Sequence, residues 1–261
     1  MIQPVFFISH DDPNQVVNKN HSSYKFLNKL AKSISKPKAI LCISAHWERS
    51  KATISGADKL ETIHDFYGFP ESFYQLDYQP PGNPALANEI KELLVAQGIA
   101  SQIDSKRGID HGAWCVLMPL FPNADVPILQ LSINPNQSAK KHFELGEALR
   151  PLREKGVLII GSGTMTHNLS EWRRGFTYDM PIEPYAKAFR DWVSEKIENQ
   201  HYEQLVEYKD KAPYASRCHP TPDHILPLFV AAGAAVEADQ ARLIDDSYIY
   251  GSFSMASFKW G

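Results

Sequence analysis

The sequence predicts an α/β fold: a single domain over residues 1–261, with a central, mostly parallel sheet flanked by helices. Three observations predict it. Short, almost continuously apolar runs at 5–8 (VFFI), 39–44 (AILCIS), 126–133 (VPILQLSI) and 157–160 (VLII) read as strands buried on both faces, the pattern of a parallel sheet. Helix-spaced segments stand between them, and strands alternating with helices imply crossover connections. A chain of 261 residues, 43% hydrophobic and 22% charged, is ordinary for a globular unit with a full-sized core.

Taken in order, the run at 5–8 meets a loop at His10-Asp11-Asp12-Pro13. Tyr24, Leu27, Leu30, Ala31 and Ile34 have helical spacing, and Pro37 ends that helix. The second strand covers 39–44. Residues 62–82, TIHDFYGFPESFYQLDYQPPG, are aromatic and rich in Pro and Gly, and read as a long functional loop. Asn83 caps a helix with Pro84 at its first position; Leu86, Ile90, Leu93 and Leu94 form its apolar face, and Gly98 stops it. A strand at 126–133 and a helix at 139–154 follow. The strand at 157–160 opens into Gly161-Ser-Gly-Thr-Met-Thr-His167. Residues 184–197 are helical. Thr221-Pro222-Asp223-His224 reads as a cap, a first-turn proline and the start of an apolar helix through Ala235. The alternation in 248–260 suggests a last strand at a sheet edge.

Net charge is −3 without a block of like charges, which argues against a nucleic-acid partner. Cys42, Cys115 and Cys218 form no CxxC pair and no even framework, so a reduced, cytoplasmic compartment is expected. The N-terminal apolar run is too short, and lacks the basic flank, for a signal peptide; no segment has transmembrane length, and no membrane partner is expected.

The chemistry lies in histidines. Three inferred strands are each followed by one: His10, His46 and His167. In open α/β sheets ligands bind beyond the carboxyl ends of strands, so neighbouring strands would bring these imidazoles into one crevice. His224 is a fourth candidate. A lone histidine at a strand end is usually a hydrogen-bonded structural residue; three at three strand ends point to a metal site. Imidazoles suit Zn(II) or Fe(II), and ligands spread over more than 200 residues suit a catalytic rather than a closed structural site. His21, His142 and His201 read as structural or solvated. Asp223 reads as an acidic residue favoured in a helix's first turn.

SAHW (44–47), TIHDFYGFP (62–70), DHGAW (110–114), PILQLSI (127–133), SGTMTHNL (162–169) and HPTPDHILPL (219–228) resemble, in order and spacing, class III extradiol ring-cleavage dioxygenases of the DOPA 4,5-dioxygenase type, relatives of the catalytic subunit of protocatechuate 4,5-dioxygenase. The resemblance spans nearly the whole chain. It implies an α/β fold and a single non-haem metal held by His10, His46 and His224, with His167 as acid/base, close enough to count as a ligand in zinc-bound forms, and His111 as a second catalytic histidine. It places the loop bearing His64, Asp65 and Phe66 at the substrate pocket. Trp47 and Trp114, each following a site histidine, are further candidates for a wall on an aromatic substrate, with core packing the favoured reading. The implied reaction opens a catechol, DOPA-like among the candidates, with O2 to a muconic semialdehyde; Fe(II) is implied for activity and Zn(II) is a plausible bound metal. One block departs from the family's usual Gly-His-Gly-Ser-Pro: here it is Ser9-His10-Asp11-Asp12-Pro13. Two other readings stay open, a zinc-dependent hydrolase, which lacks an HExxH glutamate here, and a non-enzymatic binding protein on the same scaffold.

Overall fold

The computed structural model describes residues 2–171, 177 and 179–261. The strands are β1 (Val5–Ser9), β2 (Ala39–Glu48), β3 (Ala52–Ser55), β4 (Ser101–Asp104), β5 (Ile128–Ile133), β6 (Val157–Gly163), β7 (Ala241–Asp245), β8 (Tyr248–Ile249), β9 (Phe253–Ser254) and β10 (Ser257–Trp260). Eight of them form one sheet in the order β4-β3-β5-β2-β6-β1-β10-β7, while β8 and β9 pair separately. The four central strands, β5, β2, β6 and β1, are mutually parallel. They are the four apolar runs, and alternate residues enter two cores: Phe7, Leu41, Leu129 and Ile159 on one face, Phe6, Ile40, Ile128 and Ile160 on the other.

Helices cover both faces. The first core is closed by α3 (Pro84–Ala96), α5 (Ala139–Leu149), α7 (Pro184–Glu198) and α11 (Leu226–Ala234). The second is closed by α2 (Ser22–Ala31) and α4 (His111–Leu120). Among the described residues there are also short helical turns α1 (Asn14–Val17), α6 (Pro151–Glu154), α8 (Tyr202–Leu205), α9 (Tyr208–Lys211) and α10 (Ala215–Cys218), and 3-10 turns at Glu71–Gln75 and Leu169–Glu171. Among the described residues no helix is long and apolar enough to cross a membrane.

Register sets up the site. Ser44 of β2 lies opposite Ser162 of β6, and Ser9 of β1 lies opposite Gly163, so three adjacent strands deliver their carboxyl ends at one level.

The structure corrects several sequence expectations. β2 continues through His46 and Trp47 to Glu48, pairing Glu48 with Ile133 after a register shift. The helix expected over 139–154 is interrupted at Arg150, because Pro151 has no N–H to continue it. The late helix begins at Leu226, and His224 sits in the turn ahead of it. β10 is internal, between β1 and β7, and β7 takes the edge. β3, β4, α4 and β7 add to the elements that the sequence pattern predicts; α4 is apolar almost all round and shows no amphipathic period.

Candidate metal centre

His10 leaves β1 with its backbone N–H donating to the Gly163 carbonyl (2.7 Å) and its carbonyl accepting from Thr164 Oγ1 (2.8 Å). Its Nδ1 lies 2.9 Å from Ser162 Oγ, whose own proton goes to the Gly112 carbonyl. Ser162 therefore accepts from Nδ1–H, and the Nε2 lone pair of His10 is free. His224 reaches the same end through close backbone packing: its carbonyl accepts from Thr164 N–H (2.9 Å), and a Cβ on Gly163 would sit 2.0 Å from that oxygen. The His224 Nδ1 is hydrogen-bonded to the Asp223 carboxylate, which again leaves Nε2 as the free nitrogen. His46 completes the group, with its Nε2 3.1 Å from that of His10.

One ligating atom from each of His10, His46 and His224 lies within 4.8 Å of the others. Cis ligands about 2.0–2.2 Å from a shared metal stand roughly 3.0–3.5 Å apart, so the His10–His46 separation fits an ion between them. Burial, then the neighbouring imidazoles His46, His224, His111 and His167, push His10 well below the usual histidine range. Burial and His111 bring His46 down to about 4, against the pull of Asp110 and Asp65. Burial and His167 likewise lower His224. Neutral imidazoles are the metal-binding form.

Two further histidines border this group. His167 stacks on His224, with ring centroids 3.5 Å apart and planes 6° from parallel. Burial lowers its pKa, while Asp223 and Asp11 raise it. His111 opens α4, its ring centroid 4.0 Å from that of His46. Asp65 Oδ1 accepts from both its backbone N–H and its Nδ1–H, each at 2.9 Å. Burial pushes the Asp65 carboxyl up, but His111 and His46 outweigh it and hold it at about 2. The helix can approach this closely because residue 112 is glycine: a Cβ there would lie 2.6 Å from His46 Cδ2 and 2.8 Å from Ser44 Oγ. Asp110, fully buried, caps the helix and also accepts from Ser44 Oγ (2.6 Å), Gln130 Nε2 (2.8 Å) and Arg107 (2.8 Å).

Of the residues singled out from sequence, His10, His46, His111, His167 and His224 come together. Phe66 sets its ring edge against His111 (5.7 Å) and stacks on Tyr74 (5.0 Å). His64 turns aside, its Nε2–H donating to the Leu76 carbonyl at 2.8 Å. Trp47, adjacent to His46 on a strand, projects to the other face of the sheet and is buried beneath Arg107, 5.1 Å from the ring. Trp114, also buried, pins the loop by donating to the Ile63 carbonyl at 3.0 Å. Ser162, Gly112 and the bond from His224 to Asp223 were not found from sequence; strand register alone would have set Ser162 beside the site.

The departing segment is accommodated without left-handed backbone, since neither Asp11 nor Asp12 is among the residues with positive φ. Asp11 pairs with His21 Nε2 at 3.1 Å. Burial, then the charge of Asp11, pushes the Asp12 carboxyl up to about 7.

Comparison with known proteins identifies the family and the fold. The family model described as the catalytic LigB subunit of aromatic ring-opening dioxygenase matches residues 3–258. A 4,5-DOPA dioxygenase extradiol from Beta vulgaris is 43% identical, over 99% of this chain and 97% of its own length. A protein of the same name from Escherichia coli K12 is 34% identical over 99% and 94%. The crystal structure of an uncharacterized protein from Escherichia coli K12 superposes with a TM-score of 0.82 at 32% identity, covering 99% of this chain and all of that one. With a match from residue 3 to residue 258 and whole-length relatives above 30% identity, the chain belongs to the family of LigB-type aromatic ring-opening dioxygenases.

Proposed function

We propose that this extradiol dioxygenase opens the ring of a DOPA-like catechol at a metal held by His10, His46 and His224, within one catalytic domain over 1–261. The observation that carries the reading is the convergence of three imidazoles, two of them with Nδ1 committed to a named acceptor, so that Nε2 is left for an ion. Three protein ligands leave open positions, and a bound Fe(II) supplies there the meeting point of catechol oxygens and O2. Zn(II) suits the same nitrogens and is the metal expected to compete for them.

The chain's own residues handle protons and packing. His167, kept neutral by burial, takes a catechol hydroxyl proton and returns it during ring opening. His111 Nε2, on the far side of its ring from Asp65, takes the second role. Phe66, set against His111 and backed by the buried Trp114, gives an aromatic ring an apolar wall. The DOPA-like substrate is supported by the names of the Beta vulgaris, Mirabilis jalapa and Portulaca grandiflora relatives, each a 4,5-DOPA dioxygenase extradiol. The family assignment also turns the choice away from a hydrolase or a non-catalytic binder. Three buried free thiols support a reducing, cytoplasmic setting.

The test is turnover of a panel of catechols, DOPA, caffeate and protocatechuate, by Fe(II)-loaded protein, read by the absorption and mass of the product. A ring-opened semialdehyde from DOPA in preference to the others supports the reading. Preference for another catechol overturns the substrate, and a product other than the extradiol semialdehyde overturns the regiochemistry.

A further inference from the structure

His111 and His46 belong to different elements, a helix start and a strand end, yet one carboxylate lies against both. Asp65 Oδ1 is 2.9 Å from His111 N and 2.9 Å from His111 Nδ1, and Asp65 Oδ2 is 3.8 Å from His46 Nδ1. We propose that Asp65 is a positioning residue: it fixes His111 as the Nδ1–H tautomer, so that the Nε2 lone pair is presented to substrate, and it buttresses the outer edge of His46.

The geometry allows no other neutral form of His111. An ionised carboxylate only accepts hydrogen bonds, so the nitrogen facing it must carry the proton. Imidazoles free in water favour the opposite, Nε2–H form, which would set a donor where a base is needed; which nitrogen is protonated is decided by the partner of the other. The backbone bond adds to this. His111 is the first helical residue, so its N–H has no acceptor within α4, and Asp65 supplies one where the helix dipole favours an anion.

Asp65 is itself held in place from both sides. Ile63 N–H donates to the Ile109 carbonyl (2.8 Å), Trp114 Nε1–H to the Ile63 carbonyl (3.0 Å), and His64 Nε2–H to the Leu76 carbonyl (2.8 Å). His64 and Trp114 thus fasten the loop, while Asp65 and Phe66 face His111. This gives the residues of the aromatic loop separate tasks in place of a common one of lining a pocket.

The assignment rests on the reading that His111 meets substrate, but its test does not depend on turnover. Zinc-loaded protein labelled with 15N-histidine would be compared with Asp65→Ala and Asp65→Glu by long-range 1H–15N correlation, with the His111 signals identified from their absence in His111→Gln. The expected result is Nδ1 protonated and Nε2 bare in the natural protein, a shift toward Nε2–H in Asp65→Ala, which removes the acceptor, and restoration in Asp65→Glu, with metal stoichiometry unchanged throughout. Fe(II)-loaded Asp65→Ala should then lose about 10- to 100-fold in kcat with KM little altered. A proton on Nε2 of His111 in the natural protein, or a tautomer indifferent to Asp65→Ala, overturns the proposal. If the natural protein opened no catechol, the tautomer result would still decide for or against Asp65, and the functional reading alone would fall.

Discussion

His167 and His224 lie face to face, centroids 3.5 Å apart and planes 6° from parallel, with Asp223 bonded to the Nδ1 of His224. Burial and stacking on a residue that would hold a cation favour the neutral form of His167, the form a base needs at rest, while Asp223 and Asp11 offset the charge it gains on taking a proton. His167→Ala should therefore keep metal binding within a few-fold and lose about 10²- to 10⁴-fold in ring opening. Metal titration and O2 uptake on the same preparation check this. Loss of metal together with activity would make His167 a ligand instead.

Ser162 connects two parts of the site, accepting from His10 Nδ1 at 2.9 Å while donating to the Gly112 carbonyl. Ser162→Ala removes the acceptor that orients His10 and the side-chain donor to the Gly112 carbonyl. Metal affinity should fall about 10- to 100-fold, as for other residues that orient a ligand. Competition with a chelator measures it, and an unchanged dissociation constant would show that His10 needs no such partner.

Gly112 is a packing constraint rather than a turn. An added Cβ would meet His46, Ser44 and His10 at 2.6, 2.8 and 3.0 Å, so Gly112→Ala must push α4 away from two proposed ligands. The expected cost is about 1–3 kcal/mol in denaturant unfolding, with weakened metal binding. A variant of natural stability and affinity would mean that the helix start moves freely.

The sheet was legible because its central strands are apolar runs with no competing period, and the histidines were legible because they follow those runs. What the sequence hid has physical causes. α4 is buried on all sides, so its segment lacks the stripe that marks a helix, and His111 emerged only through the family resemblance. β3 and β4 are four residues each, too short for alternation to stand out. Trp47 adjoins His46, which offers a pocket wall beside core packing; neighbours on a strand face opposite ways, and the buried Trp47 takes the core. Asp223 looked like a helix-dipole residue because the helix was expected to start at Pro222; the later start at Leu226 frees it to hold His224.

His219 provides a test of stability against pH away from the proposed ligands. It is buried, its Nε2–H donating to the Met165 carbonyl at 2.9 Å, and burial lowers its pKa from 6.5 to about 4. The folded pKa lies below the unfolded one, so this contribution is complete above pH 6.5 and is lost as pH falls toward 4. Its size is on the order of 3 kcal/mol across that window. Asp12, pushed up to about 7, acts in the opposite sense and is common to both proteins compared. Urea unfolding of metal-free His219→Gln against the natural protein should show the variant gaining relative stability from pH 7 to pH 4.5. A difference that stays constant with pH would mean that His219 titrates normally.

The central claim, that His10, His46 and His224 hold the metal at which a catechol ring is opened, is tested most directly by O2 consumption after anaerobic loading with Fe(II), measured with DOPA in the natural protein and in His10→Ala, His46→Ala and His224→Ala. The predicted result is equimolar uptake of O2 and DOPA with both oxygen atoms in the product, abolished in each variant together with stoichiometric iron binding. Full turnover in any of the three, or stoichiometric iron without turnover of any catechol, would contradict it.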